Sequence, residues 1–266
     1  MTIMAIAAIL LMVVVGPMFA PNVYISHIQD SLEAPSPTHW FGTDEQGRDV
    51  LWRLIAGSRT TIPAALVVVA GYAAIGVAFG IMSTTGPRWI REPFLRFIDV
   101  GLSVPGLVIA LGIAASLGAS IETAVIALIV TGWPMTARIL SGIIAETKTL
   151  GFVDGATVLG ASRLRVIFGH VLPNALPVLW VKWAGDLGTT IVAIGGLSFI
   201  GAGAQPPSAE WGAMVSSGAG LFATAWWVVF FPGLAIALTS AAFAFFGDFL
   251  HLRINPEFAD HIWRTK

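Results

Sequence analysis

The sequence predicts an all-α, polytopic membrane protein, and three observations predict it. Of 266 residues, 56% are hydrophobic and 11% charged, whereas soluble domains carry roughly 25% charged residues. Five uncharged runs, 1–29, 60–87, 100–121, 187–209 and 211–247, each offer the ~20 residues with which a helix crosses ~30 Å of hydrocarbon. Backbone amides in hydrocarbon have no water to bind, so a bundle of helices that pair their own amides is the economical architecture. The 29 glycines, among them Gly71, Gly76, Gly80, Gly188, Gly195 and Gly196, allow such helices to approach closely, and packing is the role expected of any one of them.

Six spans are expected, at Thr2 to Ala20, Ile62 to Thr84, Phe97 to Leu117, Ile121 to Ile144, Val178 to Ile200 and Trp226 to Phe246. The first lacks a positively charged leading region and reads as an uncleaved span rather than a signal peptide. The fourth contains Pro134 and Arg138. Proline is tolerated in a span when neighbours re-satisfy the freed carbonyl, and the arginine can snorkel to an interface. With the N-terminus inside, the outer segments hold Arg48, Arg53 and Arg59, and the other eleven of the 14 basic residues lie inside. This asymmetry fits the positive-inside rule, so both termini and the segment 147–177 are expected in the cytosol. The chain then divides into 1–61, a first span with an external loop, and 62–266, a five-helix core that includes 147–177.

The external loop THWFGTDEQGRDVLWRLIAGSRTTIP combines a capping-box start, Thr43 with Gln46, and an apolar face of Val50, Leu51, Leu54 and Ile55. It predicts a short helix lying on the outer interface, with or without a ligand role. The inner segment differs. Val153, Ala156, Leu159, Leu164, Ile167 and Phe168 give it an apolar face, and such amphipathic pieces dock in grooves on other proteins. Gly160 interrupts it, at a cost of about 1 kcal/mol in a helix. The expected structure is therefore helix, tight turn, helix, with Pro173 and Pro177 marking the entry to the fifth span. Taken on its own residues, the segment is either a docking element or a connector.

Composition also excludes functions. A net charge of -1 argues against a nucleic-acid partner, which needs a basic face. Without cysteine there is no disulfide, thiolate metal site or cysteine nucleophile. No G-x-x-x-x-G-K-[ST] loop occurs, nor any Gly-Lys dipeptide, so the chain cannot cradle a nucleotide in that manner. Gly196-Leu197-Ser198-Phe199 matches the short signature of intramembrane serine proteases, but His170 and His251 fall at the opposite side of the bilayer. A secondary carrier would show internal repeats and broken midplane helices, and no half-to-half repeat is evident.

Five stretches together carry a resemblance. DGATVLGASRLRVIFGHVLPNALP from Asp154 resembles the cytoplasmic coupling loop of ABC importer permeases, in which Glu-Ala-Ala is followed after three residues by glycine and then by Ile and Leu-Pro. Here Asp154-Gly155-Ala156 stands for the acidic start and Gly160 for the glycine. Asp keeps the charge of Glu, while Gly155 for Ala loosens the helix. HWFGTDEQGRDVLWRLIAGSR, RFIDVGLSVPGLVIALGIAASLG, GLSFIGAGAQPPSAEWGAM and FFPGLAIALTSAAFAFFGDFLHLRINPE are similar to the second permease subunit of dipeptide, oligopeptide and nickel importers.

That resemblance, from Trp40 to Glu257, implies the six-helix fold of type I importer permeases. It implies a paralogous permease partner, two cytosolic ATPase subunits or domains, an external solute-binding protein and a setting in membrane lipid. The chain itself would hold no cofactor, ATP and Mg being bound by the ATPase partners. Asp154, Gly155, Ala156, Leu159, Gly160, Arg163, Arg165, Ile167 and Phe168 would couple to an ATPase. Cargo would be a peptide, or else a nickel chelate or another small solute. Asp99, Pro105, Asp186, Gln205, Glu210 and Trp211 are candidates for the translocation path or its gate. Charge spacing offers a second, structural reading of several intramembrane residues. Arg96 and Asp99 lie three apart, Lys182 and Asp186 four apart, and Asp248 with Arg253 reads as an interfacial anchor.

Overall fold

The computed structural model describes residues 2–20 and 23–254. Among the described residues each apolar run is largely helical. α1 (Thr2–Val14) and the single turn α2 (Gly16–Phe19) are followed by a loop, and then by α3 (Val50–Met82). The bent pair α4 (Arg88–Ser103) and α5 (Gly106–Leu117) leads into α6 (Ile121–Thr147). Two short helices, α7 (Gly151–Val158) and α8 (Arg163–Val166), precede α9 (Leu172–Phe199). α10 (Trp211–Gly218) and α11 (Trp227–Ile254) complete the described chain.

Four of these helices are long and apolar enough to cross a membrane, and the α4–α5 pair makes a fifth when counted as one broken span. All six expected apolar units are helical, but three differ from expectation in continuity. The first stops at Val14, before Gly16-Pro17. At 1.5 Å per residue its 13 residues cover ~20 Å. The third is bent by 85° at Val104, whose extended φ/ψ of -99/129 is what the following Pro105 imposes on a preceding residue. Pro134, flanked by Trp133 and Met135 rather than by a turn-forming glycine, stays within α6. The expected separate surface helix is corrected as well. Its residues open the 33-residue α3, which runs without interruption across the boundary at 61/62. No terminator lies between Arg53 and Ile62, so nothing stops the helix.

The centre of the bundle is the packing of α3, α6 and α9. Val68, Val69 and Tyr72 of α3 meet Trp133 and Ala137 of α6 and Ile191 and Ile194 of α9, with Ile98 and Phe243 closing the cluster. Small residues set the helix separation, as the sequence leads one to expect. A Cβ at Gly76 would lie 2.6 Å from that of Thr136, and one at Gly188 would lie 2.5 Å from the carbonyl of Ser240 on α11. Gly196 has open space instead. The bundle has two distinct ends. The cap end carries the loop before α3 and the segment 200–226, and the elbow end carries α7, α8 and the 83–87 turn.

Candidate functional site

The elbow is built by two helix-end devices in succession. α7 closes on Gly160, whose φ of +83° is left-handed and favours glycine. The Leu159 N–H donates to the Gly155 carbonyl at 3.0 Å and the Ala161 N–H to the Ala156 carbonyl at 3.0 Å, the latter being the long bond of a Schellman C-cap. Ser162 then caps the next helix, its Oγ accepting from the Arg165 N–H at 3.3 Å. The expected helix, turn, helix is present. Its second arm does not end at a proline, however. It passes through a π turn at Ile167–Val171 into α9, giving 36 continuous helical residues from Leu164 to Phe199. The wider turn lies immediately before Pro173, which has no N–H to donate to the preceding turn.

The apolar residues of this segment form two faces rather than the one expected. Val153, Val166 and Val171 pack against Leu140 and Ile144 of α6 and Leu179 of α9, with Ile167 also buried. The other face points away. Val158 is 87% exposed, Leu159 89%, Leu164 61% and Phe168 56%. A linear pattern cannot separate the two because the turn at Gly160 rotates the second arm relative to the first. Gly155 has open space around its Cα, and Arg165 is exposed. The side chains of Asp154 and Arg163 lie outside the described set.

At the cap end the polar residues turn inward. Asp44 accepts from Arg48 Nε at 2.7 Å and from the backbone N–H groups of Gln46 and Arg48. Arg53, 3% exposed, pairs with Asp44 at 3.3 Å and donates to the carbonyls of Val23, Pro207 and Ser208. Thr43 does not cap the helix as expected. Its hydroxyl bonds to Asp30 and Glu33 backbone groups, while Asp49 accepts from Trp52 N–H as the N-cap of α3.

Glu210 and Trp211 seal this cap from the other side. Glu210 is fully buried. One carboxylate oxygen accepts from the Thr61 hydroxyl at 3.2 Å and the other from the Ala213 N–H at 2.9 Å, capping α10. The Trp211 indole donates to the Leu54 carbonyl at 2.8 Å, and Trp227 donates to the Thr43 carbonyl at 3.0 Å. The fit depends on Gly57, where a Cβ would come within 2.0 Å of the Ala209 carbonyl. Gln205 is exposed and donates to Gly201 and Gly203 carbonyls. Ser198, the protease-like serine, accepts from the Ala204 N–H at 3.1 Å and so closes the turn after α9.

Among the described residues, two ion pairs join charges that the sequence places within the spans. Asp99 pairs not with Arg96 but with Arg138 of α6, at 2.6 Å and with both side chains nearly half exposed. The bend at Pro105 lets α4 lie against α6 there, where Gly101 meets Pro134, so a partner on another helix takes precedence over one on the same helix. Lys182 and Asp186 pair as expected, and Asp186 also accepts from the Tyr72 hydroxyl at 2.5 Å. Tyr72 was not singled out by sequence, although one of only two tyrosines in an otherwise apolar span is a signal of a buried polar partner. Among the described residues no ion pair joins Asp248 to Arg253, whose guanidinium instead sits 5.4 Å from the Phe249 ring centre. No group of three or more metal-ligating side chains occurs among the described residues.

A bundle of apolar helices with one sealed end and one end displaying an apolar elbow defines the class, a polytopic membrane protein. Comparison with known proteins places it. Residues 76–260 match the family model described as binding-protein-dependent transport system inner membrane component. The chain is 39% identical to the probable D,D-dipeptide transport system permease protein of Escherichia coli K12, over 95% of this chain and 85% of the relative. It is 32% identical to the dipeptide transport system permease protein of Alkalihalophilus pseudofirmus, over 95% and 83%. Against the glutathione transport system permease protein of Pectobacterium atrosepticum the identity is 33% over 85% and 75%.

Among solved structures, an inward-facing methionine ABC transporter matches with a TM-score of 0.64 at 19% identity, covering 77% of this chain and 97% of that one. This chain belongs to the family of binding-protein-dependent inner-membrane permeases. It is the transmembrane permease subunit of an ABC importer, a transport component and not an enzyme. The carrier and protease alternatives fall with that assignment.

Proposed function

We infer that the chain carries peptides inward, as one half of a pathway completed by a paralogous permease subunit. Support for the cargo comes from relatives named for dipeptides and for glutathione. Residues 62–266 act as the transport core. The elbow end and both termini face the cytosol, where two ATPase subunits or domains bind ATP and Mg. The cap end faces outward, toward the solute-binding protein. The bent α4–α5 unit, with Asp99 and Pro105, lines the path together with Asp186. Glu210 and Trp211 serve the gate by holding the cap closed, with Gln205 at its outer surface.

The observation that carries this reading is the elbow's outward face. Leu159 and its neighbours are apolar and exposed outside the apolar core of the spans, and contiguous patches of that kind mark protein contacts. The two arms around Gly160 transmit closure of the ATPases to α9, because the second arm is the same helix. Asp154, Gly155, Ala156, Arg163, Arg165, Ile167 and Phe168 complete the joint.

The test uses the reconstituted complex. Gly160→Val places a branched side chain at positive φ, a strain of more than about 1 kcal/mol, in open space. Uptake is expected to fall to background with the subunit at normal abundance, and normal uptake would refute the joint. Orientation is tested separately in this cysteine-free chain. A cysteine at Ser36 should label with an impermeant external reagent and one at Ser162 should not. The reverse pattern inverts the topology.

A further inference from the structure

The cap end and the centre of the bundle are two packed bodies, and the two helices that run between them each carry a proline at the boundary. On α3, Val50, Leu54 and Ile62 belong to the cap cluster with Trp211, Trp227 and Val228. Ala65, Val68, Val69 and Tyr72 of the same helix belong to the central cluster with Trp133, Ile191 and Phe243. Pro63 lies between the two sets. On α11, Trp227 and Val228 belong to the cap and Phe243 to the centre, and Pro232 lies between them. Neither helix has another proline. Proline has no N–H, so the carbonyls of Arg59 and Val228 receive no bond from four residues on, and helices bend preferentially at such positions.

On the cap side of these prolines the parts are tied to one another by directional bonds. Arg53, Leu54, Gly57 and Thr61 share one face of α3, and the segment 207–211 lies along it. Arg53 donates to the Pro207 and Ser208 carbonyls, and the Trp211 indole to that of Leu54. The Thr61 hydroxyl donates to Glu210 and accepts from the Trp211 N–H at 3.3 Å, while the Ala209 carbonyl sits over Gly57. The loop before α3 joins through Asp44 with Arg53 and through Thr43 with the Trp227 indole. Arg59 donates to the Val13 and Val14 carbonyls at 3.0 and 2.8 Å, so the end of α1 goes with the cap. Asp44, Arg53 and Glu210 thus find their partners on the cap side, and a swing about the prolines leaves these buried charges paired.

Contacts across the boundary are of another kind. α10 meets α9 backbone to backbone, where a Cβ at Gly212 would lie 2.4 Å from the Gly195 Cα. Two glycines in contact interlock no side chains, so one helix can slide on the other. Ser216 adds a hydrogen bond to the Phe199 carbonyl at an exposed position. The turn 201–204 stays with α9, through the Ser198 hydroxyl and through the Ala202 N–H, which donates to the Leu197 carbonyl at 2.8 Å. The remaining crossing is therefore the exposed stretch from Gln205 to Pro207. We propose that the cap, residues 23–62 with 207–231, swings as one rigid body about Pro63 and Pro232 to open the outer end to cargo, on the reading above that the cap is the gate. Hinge motion of this kind confines its φ/ψ changes to a few positions and leaves the packed bodies intact.

The experiment uses the assembled importer, with pairs of nitroxide labels on cysteines introduced into this cysteine-free chain and distances read by double electron–electron resonance. Labels at Thr38 and Ala223 both lie on the cap, whereas Thr38 with Leu117 joins the cap to the end of α5. All three positions are exposed. Between the nucleotide-free complex and the complex trapped with ATP and vanadate, the Thr38 to Leu117 distance should change by at least about 5 Å, one helical turn. The Thr38 to Ala223 distance should stay the same. Pro63→Ala with Pro232→Ala restores both backbone bonds. It should remove most of the distance change and lower uptake severalfold, with the complex melting no lower than the native one.

A Thr38 to Ala223 distance that changes as much as the other would show that the cap is not one body, and would overturn the proposal. Native uptake with the native distance change in the proline variant would overturn it too, since the motion then has another axis, while the cap would still stand as the gate. If neither distance changes during ATP-driven uptake, the proposal falls together with the reading of the cap as a gate.

Discussion

At the cap end four charged side chains, Asp44, Arg48, Arg53 and Glu210, are between 0% and 7% exposed, whereas at the elbow end four apolar ones, Val158, Leu159, Leu164 and Phe168, are between 56% and 89% exposed. Both regions are connections outside the apolar runs, and each reverses the usual placement of its residue types. The cap can bury charge because the chain supplies nearly every partner nearby, Arg48 Nη1 being the one buried side-chain polar atom among the described residues that has none. Arg53 reaches the carbonyls of two distant loops, and Glu210 reaches both Thr61 and the α10 backbone. Buried charges are stable only when so paired.

The elbow has no such closure in this subunit. Covering a side chain the size of Leu or Phe is worth about 1.5–3 kcal/mol, and this chain by itself does not gain it there. A connection that completes itself serves the subunit's own stability, and on the function proposed above the one that leaves its apolar face open serves the assembly.

Substitutions in the two regions should therefore separate stability from transport. The largest stability effect is expected from Trp211→Ala at the cap. It removes a fully buried indole from the cluster with Val50, Leu54 and Ile62 and a hydrogen bond to Leu54, at a cost of about 3–5 kcal/mol. Thermal unfolding of the detergent-purified complex measures it, and a negligible shift would break the contrast from the cap side.

Next is Glu210→Ala. It removes the α10 N-cap, worth about 0.5–2 kcal/mol, and leaves the buried Thr61 hydroxyl without its carboxylate partner. A melting shift smaller than that of Trp211→Ala is expected in the same assay, and one larger would mean the cap is held mainly by charge.

The smallest stability effect should come from Leu159→Ser. At 89% exposure the substitution falls in the range of about ±0.5 kcal/mol. Its effect on uptake should nonetheless be severe. A melting point unchanged together with uptake unchanged would show that this face is not a docking surface.

Much of this architecture was legible along the chain, and the parts that were not have identifiable reasons. The helix, turn, helix of the elbow followed from Gly160, since a glycine between two short amphipathic pieces is a local signal. The break in the third span was available in Val104-Pro105-Gly106, a turn signature concealed by the apolarity around it. The pairing of Lys182 with Asp186 is local to one helix and was correct. The pairing of Asp99 was not, because Arg96 and Arg138 are equally plausible partners until the bend of α4 brings one of them within 2.6 Å. Glu210 and Trp211 are candidates for the path or its gate through the family resemblance, not through any local pattern. Their burial depends on Thr61 and Leu54, some 150 residues away.

The sequence by itself determined which segments enter the membrane, because transfer of a 20-residue apolar run depends on its composition and hardly at all on its neighbours. It also carried the local stops at Gly160 and at Val104-Pro105, where a glycine at positive φ and a proline act over three or four residues. Only the tertiary structure decided which polar residues are sealed and which apolar ones are left open. Burial and pairing are properties of the surfaces that meet, and those surfaces are assembled from residues that no local pattern links.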